Sequence, residues 1–340
     1  MRIEHNSEIA SFLSRCRENL GNNSLNEYLD HKVTPGNETY LRKKLAKAGA
    51  AEFFGPEVSW PSLFLSSEDW LKTPYHSRIH LEKIEDEHFS YETMRVLPGR
   101  LFNLDEVQPD PKRELNDWMK LRAMDQAFET AVLYQDDDLW MIDAPSEALT
   151  NDPMAEAAHG NALTFGLGIG YFLYMASLNP KTECITAVEK SESVIRMFET
   201  SLLPQFDHPE KIRLIHGDAM DYWNEEFLSG FDTIYADIWQ SGDDGLFWMS
   251  RLLSQYHPED EKTFFWIEES CLVALRTVVF LHFEELYYRC EREVSEDYRP
   301  LLEKTRAYFR RIDKTIDSVD ALKHFLYDRT VLRAILGETI

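Results

Sequence analysis

From Ala162 to Glu269 the chain alternates short apolar runs with helix-patterned segments, and this alternation restricts the fold more than any other feature. "ALTFGL", "CITAVEK", "IRLIHGD", "FDTIYADI" and "TFFWIEE" read as strands. Between them, "YFLYMASL", "SESVIRMFETSLLPQF", "AMDYWNEEF" and "DGLFWMSRLLSQY" carry helical spacing, the second with Ser191 at its cap. Strands that alternate with helices pair in parallel through right-handed crossovers. The expectation is α/β: a doubly wound, mainly parallel sheet within residues 131–270, with helical additions on both sides.

The flanks are less regular. Residues 1–130 read as mainly helical. Ser7 is expected to cap a helix running to Gly21, a second helix lies in "NETYLRKKLAKAGAAEFFG", and Ser67 caps "EDWLK". "PDPKRELNDWMKLRAMDQAF" has helical spacing, and "SYETMRVLPGRLFNL" stays open between strand and loop. "TAVLYQ-DDD-LWMIDAP" predicts a hairpin with an acidic turn, and "DPMAEAAHG" a short helix with Pro153 near its start. Residues 271–340 read as a helical extension. Within it, Leu272, Leu275, Val279 and Phe283 share one face of a buried helix. No antiparallel pair of strands is therefore expected on the sheet after Glu269.

Charge limits the partners. The chain holds 60 Asp and Glu against 36 Lys and Arg, a formal net charge of −24, which disfavours a nucleic acid partner. The densest basic cluster (Lys304, Arg306, Arg310, Arg311 and Lys314) reads as a solvated face. The four cysteines, at 16, 184, 271 and 290, have no CxxC spacing, so neither a zinc knuckle nor a redox pair is written. The opening residues lack an apolar signal core, and a cytoplasmic setting is expected. Ala157 to Pro180 contains no Asp, Glu, Lys or Arg, but Asn161, clustered glycines and "SLNP" break it into strand, turn and helix, so no membrane span is expected. His76 and His80 lie four apart in "YHSRIH" without a fixed third ligand, so the pair reads as a solvated helix and no metal is expected. Whether the chain forms a homo-oligomer stays open.

The functional signal lies at the strand ends. Gly166, Gly168 and Gly170 form "GLGIG" between the first strand and its helix, where ligands of open parallel sheets lie. Glu189 ends the second strand and can accept both hydroxyls of a ribose. Asp218, followed by Ala219, ends the third, and Asp237 ends the fourth. Each acid alone reads equally as a polar strand cap. A dinucleotide reading uses the same geometry, but "GLGIG" lacks the later glycine of GxGxxG. His159 precedes the first strand, while Tyr222, Trp223 and Trp239 flank strand ends and read equally as ligand cover or core.

As a set these residues resemble the class I S-adenosylmethionine-dependent transferases. The resemblance covers about Asn161 to Glu269 and implies a Rossmann-like methyltransferase fold with S-adenosyl-L-methionine as cofactor. It implies that Gly166, Gly168 and Gly170 pass under the methionine part, that Glu189 holds the ribose, and that Asp218 and Ala219 flank the adenine. Thr164 stands where the family usually carries an acid for the ligand's amino group.

A narrower resemblance, to spermidine synthases, lies in "LWMIDAPSEALTNDPMAEAAHGNALTFGLGIG" and "ADIWQSGDDGLF". Asp143, Asp152 and Asp237 match family acids, whereas Glu147 replaces a family glutamine and Gln240 a second acid. These resemblances imply a methyltransferase acting on a small molecule or a protein, with Asp237 or Asp143 orienting the acceptor or taking its proton. Aminopropyl transfer and a non-catalytic nucleoside-binding module are the alternatives. The acceptor pocket is expected between 131–152 and 237–245. Those segments carry Asp143, Glu147, Asp152, Asp237, Asp243 and Asp244, which would favour a cationic small-molecule acceptor if most of them face it.

Overall fold

The structure, a computed structural model, describes residues 1–20, 25–110 and 112–340. Five strands form one parallel sheet: β1 (Gly160–Phe165), β2 (Thr182–Glu189), β3 (Ile212–His216), β4 (Thr233–Ala236) and β5 (Thr263–Phe265). Their order is β3-β2-β1-β4-β5. The chain leaves β1 toward β2 on one side and returns to β4 on the other. The order therefore reverses beside β1, which opens a crevice at the strands' carboxyl ends. Register aligns those ends: Phe165 lies opposite both Val188 and Ala236.

Burial on both faces explains why these strands read as continuous apolar runs. Leu163, Phe165, Ile234 and Ala236 belong to one core, with the helices Gly242–Gln255 and Glu268–Tyr288. Ala162, Ile185, Ala187 and Tyr235 belong to a second, with Phe172, Tyr174 and Phe198. The sheet takes no strand after β5 among the described residues, as expected. Glu268–Tyr288 is one helix in which Leu272, Leu275, Val279 and Phe283 are all buried. The later Thr315–Ile316 pairs in parallel with Arg2–Ile3, away from the sheet. No helix among the described residues is long and apolar enough to cross a membrane.

The expectation that residues 1–130 are mainly helical is corrected. Ile84–Asp86, Phe89–Val96, Phe128–Gln135 and Asp138–Ile142 form a four-stranded antiparallel sheet. It includes the predicted hairpin, and a boundary at 130/131 would cut its third strand. "SYETMRV" is thereby a strand. The helix expected after Pro111, itself outside the described residues, is replaced by the strand Leu121–Met124, all four residues of which are buried. A third core lies nearby, around Leu41, Leu45, Phe53, Leu63 and Leu121.

Several helix ends also move. Asn6, not Ser7, caps the first helix, its Oδ1 accepting from the Ile9 amide at 2.9 Å. That helix ends at Asn19, and Gly21 lies outside the described residues. Ser66, not Ser67, caps Ser67–Trp70. The helix before β1 runs from Pro145 to Ala157, so Pro153 lies inside it. "AMDYWNEEF" splits into Ala219–Tyr222 and Glu225–Leu228, because Asn224 accepts from the Phe227 amide and starts a new cap.

The basic cluster is a solvated face at Arg310, Arg311 and Lys314, which are exposed, but not at Lys304. Lys304 is buried and donates to Ser254 Oγ and to the Leu336 carbonyl, each at 2.5 Å. Arg306 pairs with Glu285, and Arg311 with Glu338.

Candidate functional site

A cavity of about 570 Å³ lies at the carboxyl ends of the strands, within the usual range for a small-molecule site. Gly166, Gly168, Glu189, Asp218, Ala219 and Asp237 all line it. Gly170 and Asp143, also singled out from the sequence, do not.

The glycines have protein neighbours as well as the cavity. Gly166 has φ +95°, and a Cβ there would collide with the Asp237 carbonyl oxygen. Gly168 has φ +50°, and its Cβ would strike Met141 Sδ. Gly170 caps the helix Tyr171–Leu178 at φ +75°, and its Cβ would meet the Phe198 ring at 2.5 Å. The expectation that all three cradle ligand is thus corrected for Gly170, which is required by the approach of a side chain. At Gly168 the Met141 thioether shares the space, and the Ile169 amide points to its sulfur at 3.5 Å.

Two tyrosines of the N-terminal part hold the loop from behind. Tyr91 donates to the Gly168 carbonyl and Tyr75 to the Ile169 carbonyl, each at 2.6 Å. Both are buried. Nothing local in the sequence marks them, since their partners lie 94 and 77 residues away for Tyr75 and Tyr91 respectively. Tyr75→Phe is expected to destabilise the protein by about 1–2 kcal/mol in urea unfolding, because it strands the buried Ile169 carbonyl.

Glu189 and Asp218 occupy the β2–β3 side. Glu189 accepts from the Leu167 amide at 3.1 Å and from the Ser191 amide at 2.7 Å, which fixes the carboxylate at the end of β2. Burial raises its pKa, and these amides oppose the rise. Asp218 pairs with Lys190 at 2.8 Å and accepts from the Met220 amide at 3.0 Å. Lys190 and that amide hold its carboxyl below the usual range.

The β1–β4–β5 side differs. Here the cavity meets Thr164, Glu147, Asp237, Trp239 and Trp266. Burial pushes Glu147 up to about 8, with repulsion from Asp237 and then Asp143 adding to it. Burial pushes Asp237 up to about 7. Among the described residues, neither carboxyl has a hydrogen-bond or ion-pair partner. In the free protein both pKa values exceed their unfolded values, so the folded state holds more protons. Stability contributed by these groups is present at low pH and lost as pH rises toward about 7 and about 8. The melting temperature should fall across that window, and Glu147→Gln should flatten the fall.

Asp143 is a correction. It is buried, its Oδ2 lies 2.8 Å from His76 Nδ1, and Thr130 donates to its carbonyl. It fastens the hairpin exit to Pro74–Arg78, so His76 is no solvated helix residue either. Of the six acids expected at the acceptor pocket, Glu147, Asp237 and Asp244 line the cavity. Asp152 instead accepts from Tyr171 at 2.8 Å, and Asp243 is exposed. Gln240 does not line the cavity. His159 is exposed at the opposite end of β1, beside Thr233. Trp223 is core, donating to the Tyr256 carbonyl, whereas Trp239 does line the cavity.

No family model matches the sequence, and no curated protein matches it. Solved structures do. The spermidine synthase from Thermotoga maritima is 15% identical, with 44% of this chain and 57% of that one covered, at a TM-score of 0.27. PKMT2 from Rickettsia typhi, in complex with AdoHcy, is 17% identical, with 56% and 38% covered, at 0.22. A candidate SAM-dependent methyltransferase from Streptococcus mutans is 14% identical, with 44% and 42% covered, at 0.25. The chain thus spans little more than half of that spermidine synthase. The likeness is to SAM-dependent methyltransferases and spermidine synthase, and scores this low carry nothing about activity.

Proposed function

We propose that the cavity binds S-adenosylmethionine and that the protein is a methyltransferase acting on a small molecule. The observation that carries this reading is the convergence of Gly166, Gly168, Glu189, Asp218, Ala219 and Asp237 on one cavity. The donor set fits a nucleoside. Glu189 is held rigidly by two amides yet still faces the cavity, so it can accept from ribose hydroxyls. Asp218 and Ala219 follow β3 beside it and suit the adenine edge. When bound, S-adenosylmethionine supplies a methyl group on a sulfonium centre, open to in-line attack by a nucleophile. The chain's own residues then act mainly by positioning. Asp237 follows β4, on the other side of β1 from Glu189, and Glu147 is close enough to be repelled by it; an acceptor would be oriented there and relieved of a proton.

Calorimetry with S-adenosylmethionine, S-adenosylhomocysteine, the decarboxylated analogue and NAD tests the reading. Binding of the first two supports it, binding of the decarboxylated analogue alone points to aminopropyl transfer, and binding of NAD alone overturns it. Glu189→Ala is expected to weaken nucleoside binding by about 1–3 kcal/mol through loss of charge-assisted acceptors.

A further inference from the structure

The acids of the cavity divide into two kinds. Asp218 is paired with Lys190, and Glu189 is bound by amides. Asp244 accepts from the Gln240 and Ser241 amides at 3.0 and 2.7 Å, closing the capping box of Gly242–Gln255. Glu147 and Asp237 alone have no partner among the described residues, although burial taxes both. Both are only partly covered and open onto the same cavity, so their oxygens are free to accept from a donor on a ligand.

The neighbouring walls say what that donor is attached to. Trp239 donates its indole N–H to the Trp266 carbonyl at 3.2 Å, and Trp266 donates its own to Thr150 Oγ1 at 3.0 Å. Both residues border the cavity with their N–H groups already used; Trp239 is buried behind it in the core, whereas Trp266 is only half-buried and keeps some ring surface. Ile238 and Trp248 extend this apolar lining. Rings beside carboxylates recognise a cation by its charge and by its apolar substituents together.

We propose that Glu147 and Asp237 bind the nitrogen of an organic amine whose body is aromatic or bulky and apolar, and take the proton that frees its lone pair. The proposal rests on the acceptor side of the reading above and names its substrate class. One N–H bond breaks, its proton passes to a carboxylate oxygen, and the electron pair stays on nitrogen. A carboxyl tuned by burial toward the neutral range is suited to that exchange. A linear polyamine fits less well. It lacks the apolar body that Ile238, Trp248 and Trp266 would cover.

The test is calorimetry on the full chain, with and without S-adenosylhomocysteine, using tryptamine, phenethylamine, putrescine and indole-3-acetate as probes. Above a pH of about 8, where both carboxyls are ionised, the arylalkyl amines should bind, putrescine at least about tenfold more weakly, and indole-3-acetate not at all, since like charge opposes it. Glu147→Gln and Asp237→Asn should each weaken tryptamine binding by about tenfold or more while S-adenosylhomocysteine affinity stays within about twofold. That retained affinity also shows that the variants fold. If the nucleoside binds but no amine does, the inference is overturned and the methyltransferase reading survives. Amine binding without nucleoside binding supports the inference and overturns that reading. Preference for putrescine, equal binding of the anion, or unchanged tryptamine affinity in both variants overturns the inference.

Discussion

Gly166→Ala is expected to cost about 3 kcal/mol or more of stability, through strain at a left-handed backbone position combined with collision against backbone. The glycine sits at φ +95°, and the atom its Cβ would meet is the Asp237 carbonyl oxygen, which cannot swing aside as a side chain can. The Asp237 amide is also held, donating to the Phe165 carbonyl at 2.9 Å. Relief would have to part the ends of β1 and β4, so the substitution should displace Asp237 and weaken ligand binding as well. Urea unfolding measures the first effect and calorimetry the second. Gly230→Ala is the control. That glycine is exposed, its nearest non-adjacent atom would lie 3.6 Å from the new Cβ, and the change should stay within about 0.5 kcal/mol.

Arg333→Ala should be comparably damaging, at about 3–5 kcal/mol, because it removes both hydrogen bonds from a buried carboxylate and leaves it only the more exposed Arg329 at 3.7 Å. Arg333 is only 3% exposed and grips Glu268 through two bonds of 2.6 and 2.7 Å. It also donates to the Thr263 carbonyl at 3.0 Å and to Asp260 at 3.1 Å. The side chain therefore ties the C-terminal helix Arg329–Leu336 to β5 and to the start of Glu268–Tyr288. Adding Glu268→Gln should recover part of the loss, so the double variant falls short of the sum of the singles. Denaturation midpoints of the three variants check this.

Legibility followed physics. The parallel sheet could be read because strands covered on both faces print unbroken apolar runs, and its strand-end acids because they follow directly in sequence. The antiparallel sheet could be read only in its hairpin, since Phe89–Val96 buries only Tyr91 fully and shows no clean alternation. Leu121–Met124 misled for the opposite reason: all four residues are covered, so spacing carried no information about period. Among the site residues, Asp143 and Glu147 exchanged importance. They lie four apart, and what separates them is His76, which engages one by a contact 67 residues back along the chain. Glu147 belongs to the helix Pro145–Ala157, whose first two turns the sequence reading missed. No local pattern announces either fact.

The pairing of Arg2–Ile3 with Thr315–Ile316 bears on how the molecule is made. At about 5–20 residues per second, ribosomal synthesis leaves the first strand without its partner for tens of seconds. The helix that follows, Ser7–Asn19, presents Ile9, Phe12, Leu13 and Cys16 to a core whose other walls, Glu268–Tyr288 and Val319–Tyr327, are encoded far downstream. Until then this apolar stripe has no native cover. Closing this core is thus a high-contact-order step, and until it closes the Ile9, Phe12, Leu13 and Cys16 stripe is open to misassociation and to chaperone capture.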